Sequence, residues 1–201
     1  MDGIGRARKC RFSNGRKASR TNESRGGLMA DVKQEYAASS NLTVTNLHSL
    51  AASAGLLVGW TSGTIDNTTD KHLDKLISAK FTTSSANRQA GAIQVWAYAM
   101  TDDSNWPDLF SSGTEGTEGA ATIHDDEQKN ECLQLLWATQ TDATNADVHN
   151  MPQVSVAQAF RGFLPAKFAI FITAACATST NACFAASGNQ VTVKGIYESV
   201  T

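Results

Sequence analysis

Ala92-Ile93-Gln94-Val95-Trp96-Ala97-Tyr98-Ala99-Met100 is the stretch on which the fold turns. Ile93, Val95, Ala97 and Ala99 alternate with Gln94, Trp96, Tyr98 and Met100, the two-residue period that sends successive side chains to opposite faces of a strand. Neither set is strongly polar, so both faces are expected to be covered, as in a strand at the centre of a sheet. Working outward, Leu76 to Thr83 places Ile77, Ala79 and Phe81 on one face and Ser78, Lys80 and Thr82 on the other. Leu133 to Thr141, Lys167 to Ala174 and Gln190 to Ser199 read as three more strands. Leu42 and Val44, with their neighbours through Leu50, read as another, and Gly55 to Ile65 as a further one around Leu57 and Trp60. Gly, Asn, Asp and Ser punctuate these runs, as turns require.

Two stretches favour short helices: Asp125 to Leu136, which opens on acids suited to a helix start, and Val154 to Phe163. Neither alternates regularly with strands, which argues against parallel βαβ units. The expected fold is therefore all-β, an antiparallel sandwich with short helical turns in its loops, and eight such strands would make a jelly roll.

Composition agrees with that class. The chain has 201 residues, of which 18% are charged, and 29 Ala, 21 Thr and 18 Ser make up about a third of it. This length buries a core without disulfide or metal staples. The net charge of −2 conceals an asymmetry. Residues 1–28 carry eight basic groups (Arg6, Arg8, Lys9, Arg11, Arg16, Lys17, Arg20, Arg25) against two acids, whereas the remaining 173 residues carry nine against seventeen. A basic arm of net +6 thus precedes a single domain, 29–201, of net −8. Poor in large apolar residues, the arm is expected to be disordered when unbound. Three readings stand for it: an electrostatic contact with nucleic acid or an acidic protein, a solvated tail, or sequence upstream of a true start at Met29. A nucleic-acid role for the whole protein is not expected. The arm lacks the apolar h-region of a secretory signal, and no run approaches the ~18 apolar residues of a membrane span.

Candidate chemistry is sparse. Cys10, Cys132, Cys176 and Cys183 lack the paired spacing of a zinc site, and Cys176 and Cys183 read as buried thiols, with a disulfide across their turn as the alternative. His48, His72, His124 and His149 form no metal-binding or nucleophile-activating motif. Acids cluster at Asp102 and Asp103, at Glu115 and Glu118, and at Asp125, Asp126 and Glu127. Such groups suit glycoside hydrolysis or calcium only in particular geometries, and surface carboxylates are the expected reading. The repeat Gly113-Thr114-Glu115-Gly116-Thr117-Glu118-Gly119 has acids where a phosphate cradle needs cations, and reads as a flexible loop. No cofactor or metal is expected. Trp96 and Trp137 lie in strands as core or interface residues, while Trp106, in the loop Trp106-Pro107-Asp108, needs a cover that a neighbouring subunit would supply.

An ordered series of segments resembles the jelly-roll cement or decoration proteins of tailed bacteriophages. It comprises Ser49-Leu50-Ala51, Gly59-Trp60, Ile65-Asp66-Asn67-Thr68-Thr69, Ala79-Lys80-Phe81-Thr82, Ile93 to Tyr98, Trp106-Pro107-Asp108, Gly162-Phe163-Leu164-Pro165 with Phe168 to Phe171, and Val193-Lys194-Gly195-Ile196-Tyr197. The resemblance spans about Asn41 to Val200 and leaves the basic arm outside. It implies a non-enzymatic structural protein on the capsid surface of a virion, made in the host bacterial cytoplasm. The implied partners are the major capsid protein and other copies of itself, as a homo-oligomer expected to be a trimer. It brings no catalytic residues; Trp60, Trp106, Phe110 and Phe163 are the candidate interface residues. A tail or fibre module that binds host glycan through Trp106 and the acidic loops is the alternative, and a hydrolase using Asp102, Asp103 or Asp125 is the enzymatic one.

Overall fold

Alternation builds most of the domain. The computed structural model describes residues 31–86, 88–143, 146–178 and 181–200; the expectations for the basic arm lie outside them. Twelve strands are present among these residues: β1 (Val32–Tyr36), β2 (Ser40–Asn41), β3 (Val58–Thr61), β4 (Ile65–Asp66), β5 (Asp74–Thr82), β6 (Gly91–Ala99), β7 (Phe110–Ser112), β8 (Gly119–Ile123), β9 (Gln134–Thr141), β10 (Val148–Ser155), β11 (Lys167–Ala174) and β12 (Gln190–Val200). They form two sheets in which every pairing is antiparallel, so the all-β sandwich is the observed fold. One sheet runs β1-β12-β5-β10 with β2 beside β12; the other runs β7-β8-β3-β11-β6-β9 with β4 beside β11.

The principal core lies between the sheets. Ile77, Ala79 and Phe81 of β5 and Val191 and Val193 of β12 meet Ile93, Val95 and Ala97 of β6 and Phe168, Ile170 and Ile172 of β11. Phe81 stacks on Phe184 at 5.3 Å and on Trp137 at 6.0 Å between ring centroids. The opposite face of the larger sheet is covered as well. Ala169 and Phe171 of β11 and Tyr98 of β6 join Leu109, Phe110, Ala121, Ile123 and Leu133 in a second cluster. Gly59 permits this: a Cβ there would stand 2.6 Å from the Phe171 ring. The two-faced burial expected of Ala92–Met100 is thus observed for β6, and β11, its neighbour, is buried along its length from Phe168.

Both short helices occur, each with a side-chain cap. Asp125 accepts from the Gln128 amide at 2.9 Å to start α1 (Asp126–Cys132), and Ser155 accepts from the Gln158 amide at 2.9 Å to start α2 (Val156–Ala159). From α1, Lys129 donates to the Leu56 carbonyl at 3.0 Å and lies over the Trp96 ring at 5.2 Å; burial pulls its ammonium below the ordinary lysine range.

The strand expected from Leu42 to Leu50 is replaced by a 3-10 turn, Thr45–Leu47. Leu47 and Leu50 are both buried and three residues apart, and each donates to the carbonyl three residues back, Leu47 to Val44 and Leu50 to Leu47. A spacing of three, not two, therefore governs that stretch. β1, β2, β7, β8 and β10 were not expected. β10 carries Pro152 and a register shift between Met151 and Val154, features that belong to a sheet edge. No described helix is long and apolar enough to cross a membrane.

Candidate functional site

The segment Gly113–Gly119 is not a flexible loop; it is pinned from several sides. Glu115 Oε1 accepts from the amides of Leu109 at 3.2 Å and Phe110 at 3.0 Å. Glu118 Oε1 accepts from Trp60 Nε1 at 2.7 Å and from the Asn46 amide at 2.9 Å, and its Oε2 accepts from Asn46 Nδ2 at 2.8 Å. Burial alone would raise the Glu118 carboxyl, but the donors from Trp60 and Asn46 outweigh it and hold the group below the ordinary glutamate range. Between the two glutamates, the Gly116 amide donates to Tyr98 Oη at 2.9 Å, and Tyr98 Oη and Thr61 Oγ1 lie 2.6 Å apart. Burial pushes the Tyr98 phenol up to about 12, with the Glu115 charge adding to the rise and the Gly116 and Thr61 bonds opposing it.

Asp102 is likewise a structural acid. Its Oδ1 accepts from the amides of Ser104 and Asn105, each at 2.7 Å, and its Oδ2 from Asn105 Nδ2 at 2.8 Å, which closes the turn after β6 and holds the carboxyl below the usual aspartate range. Asp125 caps α1. Asp103 is exposed on the surface of the turn after β6. Among the described residues no group of three or more His, Cys, Asp and Glu is placed to hold a metal ion. His48 lies against Asn189 at 3.0 Å, while His72 faces Asp70 at 3.7 Å and His124 faces Asp108 at 3.6 Å.

The four candidate interface residues have divided fates. Trp60 has no exposure and Phe110 only 7%, so both belong to the interior of the domain: strand alternation turns the Trp60 ring inward, and Phe110 closes the second cluster. Trp106 is half-buried and finds its cover within its own chain, against Tyr98 at 5.2 Å between centroids and above Gly116. Phe163 alone stands free, 80% exposed. Trp96 and Trp137 are half-buried on opposite sides of the larger sheet.

Near Phe163 the chain forms a cleft of about 400 Å³ lined by Thr68, Met100, Asp102, Asp103, Pro165, Ala166 and Lys167. Three connections converge there: the one after β4, the one after β6 and the one leading from α2 into β11. Pairing of Ala99 with Phe168 brings the last two together, and Met100 donates to the Lys167 carbonyl at 3.2 Å. Asp66 accepts from the Thr68 amide at 2.7 Å and Thr68 Oγ1 at 2.6 Å, which together with nearby Lys167 and Lys75 keeps its carboxyl below the ordinary range. Sequence reasoning singled out Asp102 and Asp103 but not Met100 or Lys167, whose proximity arises only from strand pairing. No family model matches the chain, and no curated protein matches it.

Proposed function

We propose that the protein is a non-enzymatic structural component of a virion, a decoration protein of jelly-roll type that binds the major capsid protein of a tailed-phage head as an oligomer and stabilises the shell. The observation that carries this reading is the use of the acids. Glu115, Glu118, Asp102 and Asp125 accept amide and indole protons that fix loops to the sandwich. Of the hydrolase candidates Asp102, Asp103 and Asp125, Asp103 alone is not engaged in this way, so the paired carboxylates of glycoside hydrolysis are not left free. A frame whose loops are tied down in this way suits a passive, rigid binding unit, and the ordered sequence resemblance supports the virion setting.

Repetition makes such a role physically reasonable. A modest contact of about 1,000 Å² becomes effectively permanent when one oligomer, such as a trimer at a local threefold position, bridges several capsomers at once. The test is the location and copy number of the protein in cryo-EM maps of purified particles. Stoichiometric occupancy of the head, with particles lacking the protein bursting at lower temperature, is expected. A handful of copies confined to the tail would overturn the reading.

The cleft beside Phe163 favours one second reading, a tail or fibre module for host glycan, because exposed Asp103 and Thr68 offer hydroxyl partners next to the apolar Met100 and Pro165. Trp106, the expected stacking residue, is largely occupied by Tyr98 and Gly116. Binding on a glycan array that Asp103→Ala removes would establish this alternative, and a blank array would end it.

A further inference from the structure

Phe163 is held outward by bonded geometry. α2 ends in two successive left-handed residues, Arg161 at φ 60° and Gly162 at φ 95°. The Gly162 amide donates to the Ala157 carbonyl at 2.7 Å and the Arg161 amide to the Gln158 carbonyl at 3.2 Å. Phe160 and Leu164 on either side pack against the principal core, whereas Phe163 projects into solvent. A left-handed conformation is unfavourable for arginine, so this turn is maintained by its surroundings and its aromatic is not simply a residue that failed to find the core.

The same connection bears one half of a contact and contributes Pro165, Ala166 and Lys167 to the other. Arg161 and Phe163 make an exposed basic and aromatic projection. The cleft lined by Met100, Pro165 and Ala166, with Asp102 and Asp103 at its rim, makes an apolar and acidic recess. Its one cation, Lys167, lies opposite Asp66 in the strand pairing and helps to hold that carboxyl below the ordinary range. Asp102 is occupied by its own turn, which leaves Asp103 as the acid available to a partner, and among the described residues neither Asp103 nor Arg161 enters an ion pair.

We infer that a second copy of this chain is the occupant of the cleft: Phe163 of one copy enters the recess of the next, with Arg161 set against Asp103. Arginine and aromatic side chains are the usual anchors of protein interfaces, and here each copy carries both the anchor and its complementary site. Donor and acceptor residues differ, so the contact either is exchanged across a twofold axis or repeats around a closed ring. One buried phenylalanine in a ring contact, or two across a twofold axis, contribute on the order of 150–500 Å², well short of the roughly 1,200 Å² of a stable interface, so neighbouring loops must share the contact and association is expected to depend on concentration. The inference rests on the oligomeric part of the proposed function and names its contact; the isolated protein tests that contact, whereas whole particles test the virion setting.

Sedimentation equilibrium of the full chain over a wide concentration range tests it. The wild type should associate reversibly, and Phe163→Ala should weaken association by about tenfold or more. Arg161→Glu and Asp103→Arg should each weaken it, and the double variant, with the charges exchanged, should recover much of the loss. Matched thermal melts establish that these surface variants remain folded. A monomeric wild type at the highest concentration, wild-type association by Phe163→Ala, or a double variant no better than the singles would overturn the inference.

Discussion

The indole Nε1 of Trp60 donates to Glu118 Oε1 at 2.7 Å, joining a fully buried core ring to a half-buried carboxylate 58 residues further along the chain. This bond fixes the position of the Gly113–Gly119 segment relative to the interior. Glu118→Ala leaves the indole N–H buried without its acceptor, and a loss of about 1–3 kcal/mol is expected from urea unfolding at neutral pH.

The same carboxylate gives a signed pH dependence. Its folded-state pKa is held below the ordinary glutamate value by the donors from Trp60 and Asn46, so the unfolded chain binds the proton more readily. The stabilisation from ionised Glu118 is therefore complete above that value and is lost as pH falls through the folded-state pKa. The stability gap between wild type and Glu118→Gln should stay constant from neutral pH down to about pH 5 and narrow below pH 4. A gap that widens in acid would contradict the assignment.

Tyr98 pins the middle of the segment, and Tyr98→Phe removes the partner of both the Gly116 amide and Thr61 Oγ1. The expected cost is about 1–3 kcal/mol. Because Tyr98 and Glu118 hold one loop, the double variant should fall short of additivity by about 0.5–3 kcal/mol in a double-mutant cycle. Strict additivity would mean that the two anchors act independently.

Gly116 sits at φ +67°, and a Cβ there would lie 2.5 Å from both Thr64 Oγ1 and the Trp106 ring. Gly116→Ala is expected to destabilise by about 1–3 kcal/mol and to alter the tryptophan fluorescence, since Trp106 must shift. Gly119→Ala, where a Cβ meets nothing within 4 Å, is the control and should change stability by no more than about 0.5 kcal/mol.

Cys176 and Cys183 have no exposure, and the Cys176 amide donates to Cys183 Sγ at 2.9 Å, whereas Cys132 is half-buried; all three are free thiols. Burial raises the Cys132 thiol above its ordinary range, so its alkylation in the native protein should be slow at neutral pH and accelerate in alkali. Cys176 and Cys183 should react only in denaturant, as peptide mass mapping would show. Rapid native labelling of either would contradict their burial.

The long strands were legible because alternation survives wherever one face is wet and the other dry: the expected limits Lys167–Ala174 coincide with β11, and Leu76–Thr83 differs from β5 by a residue or two at each end. β1 left no such trace because nearly all of it is exposed, and β10 because Asn150 and Pro152 disguise an edge strand as a loop. The anchoring role of Glu115 and Glu118 was not legible. A Gly-Thr-Glu repeat has the same letters whether its acids face solvent or accept protons from residues distant in the chain. Phe163 was legible as a candidate but not as the exposed one of four, because burial of Trp60 and Phe110 depends on which sheet face each strand presents. The cleft joins residues from three connections and has no counterpart in any local pattern.

The burial of β11 on both faces also bears on how the protein opens. With β3 and β4 on one flank and β6 on the other, and with the Ile170 amide given to Ser62 Oγ at 2.9 Å, amides in the middle of this strand have no local route to solvent. Their hydrogen exchange must wait for dissolution of the whole sandwich, so the slowest amides near Ile170 and Ile172 report the global unfolding free energy directly. At β1, where the chain is held along one edge and largely exposed, exchange is expected to be fast, which sets the two extremes of protection within a single domain.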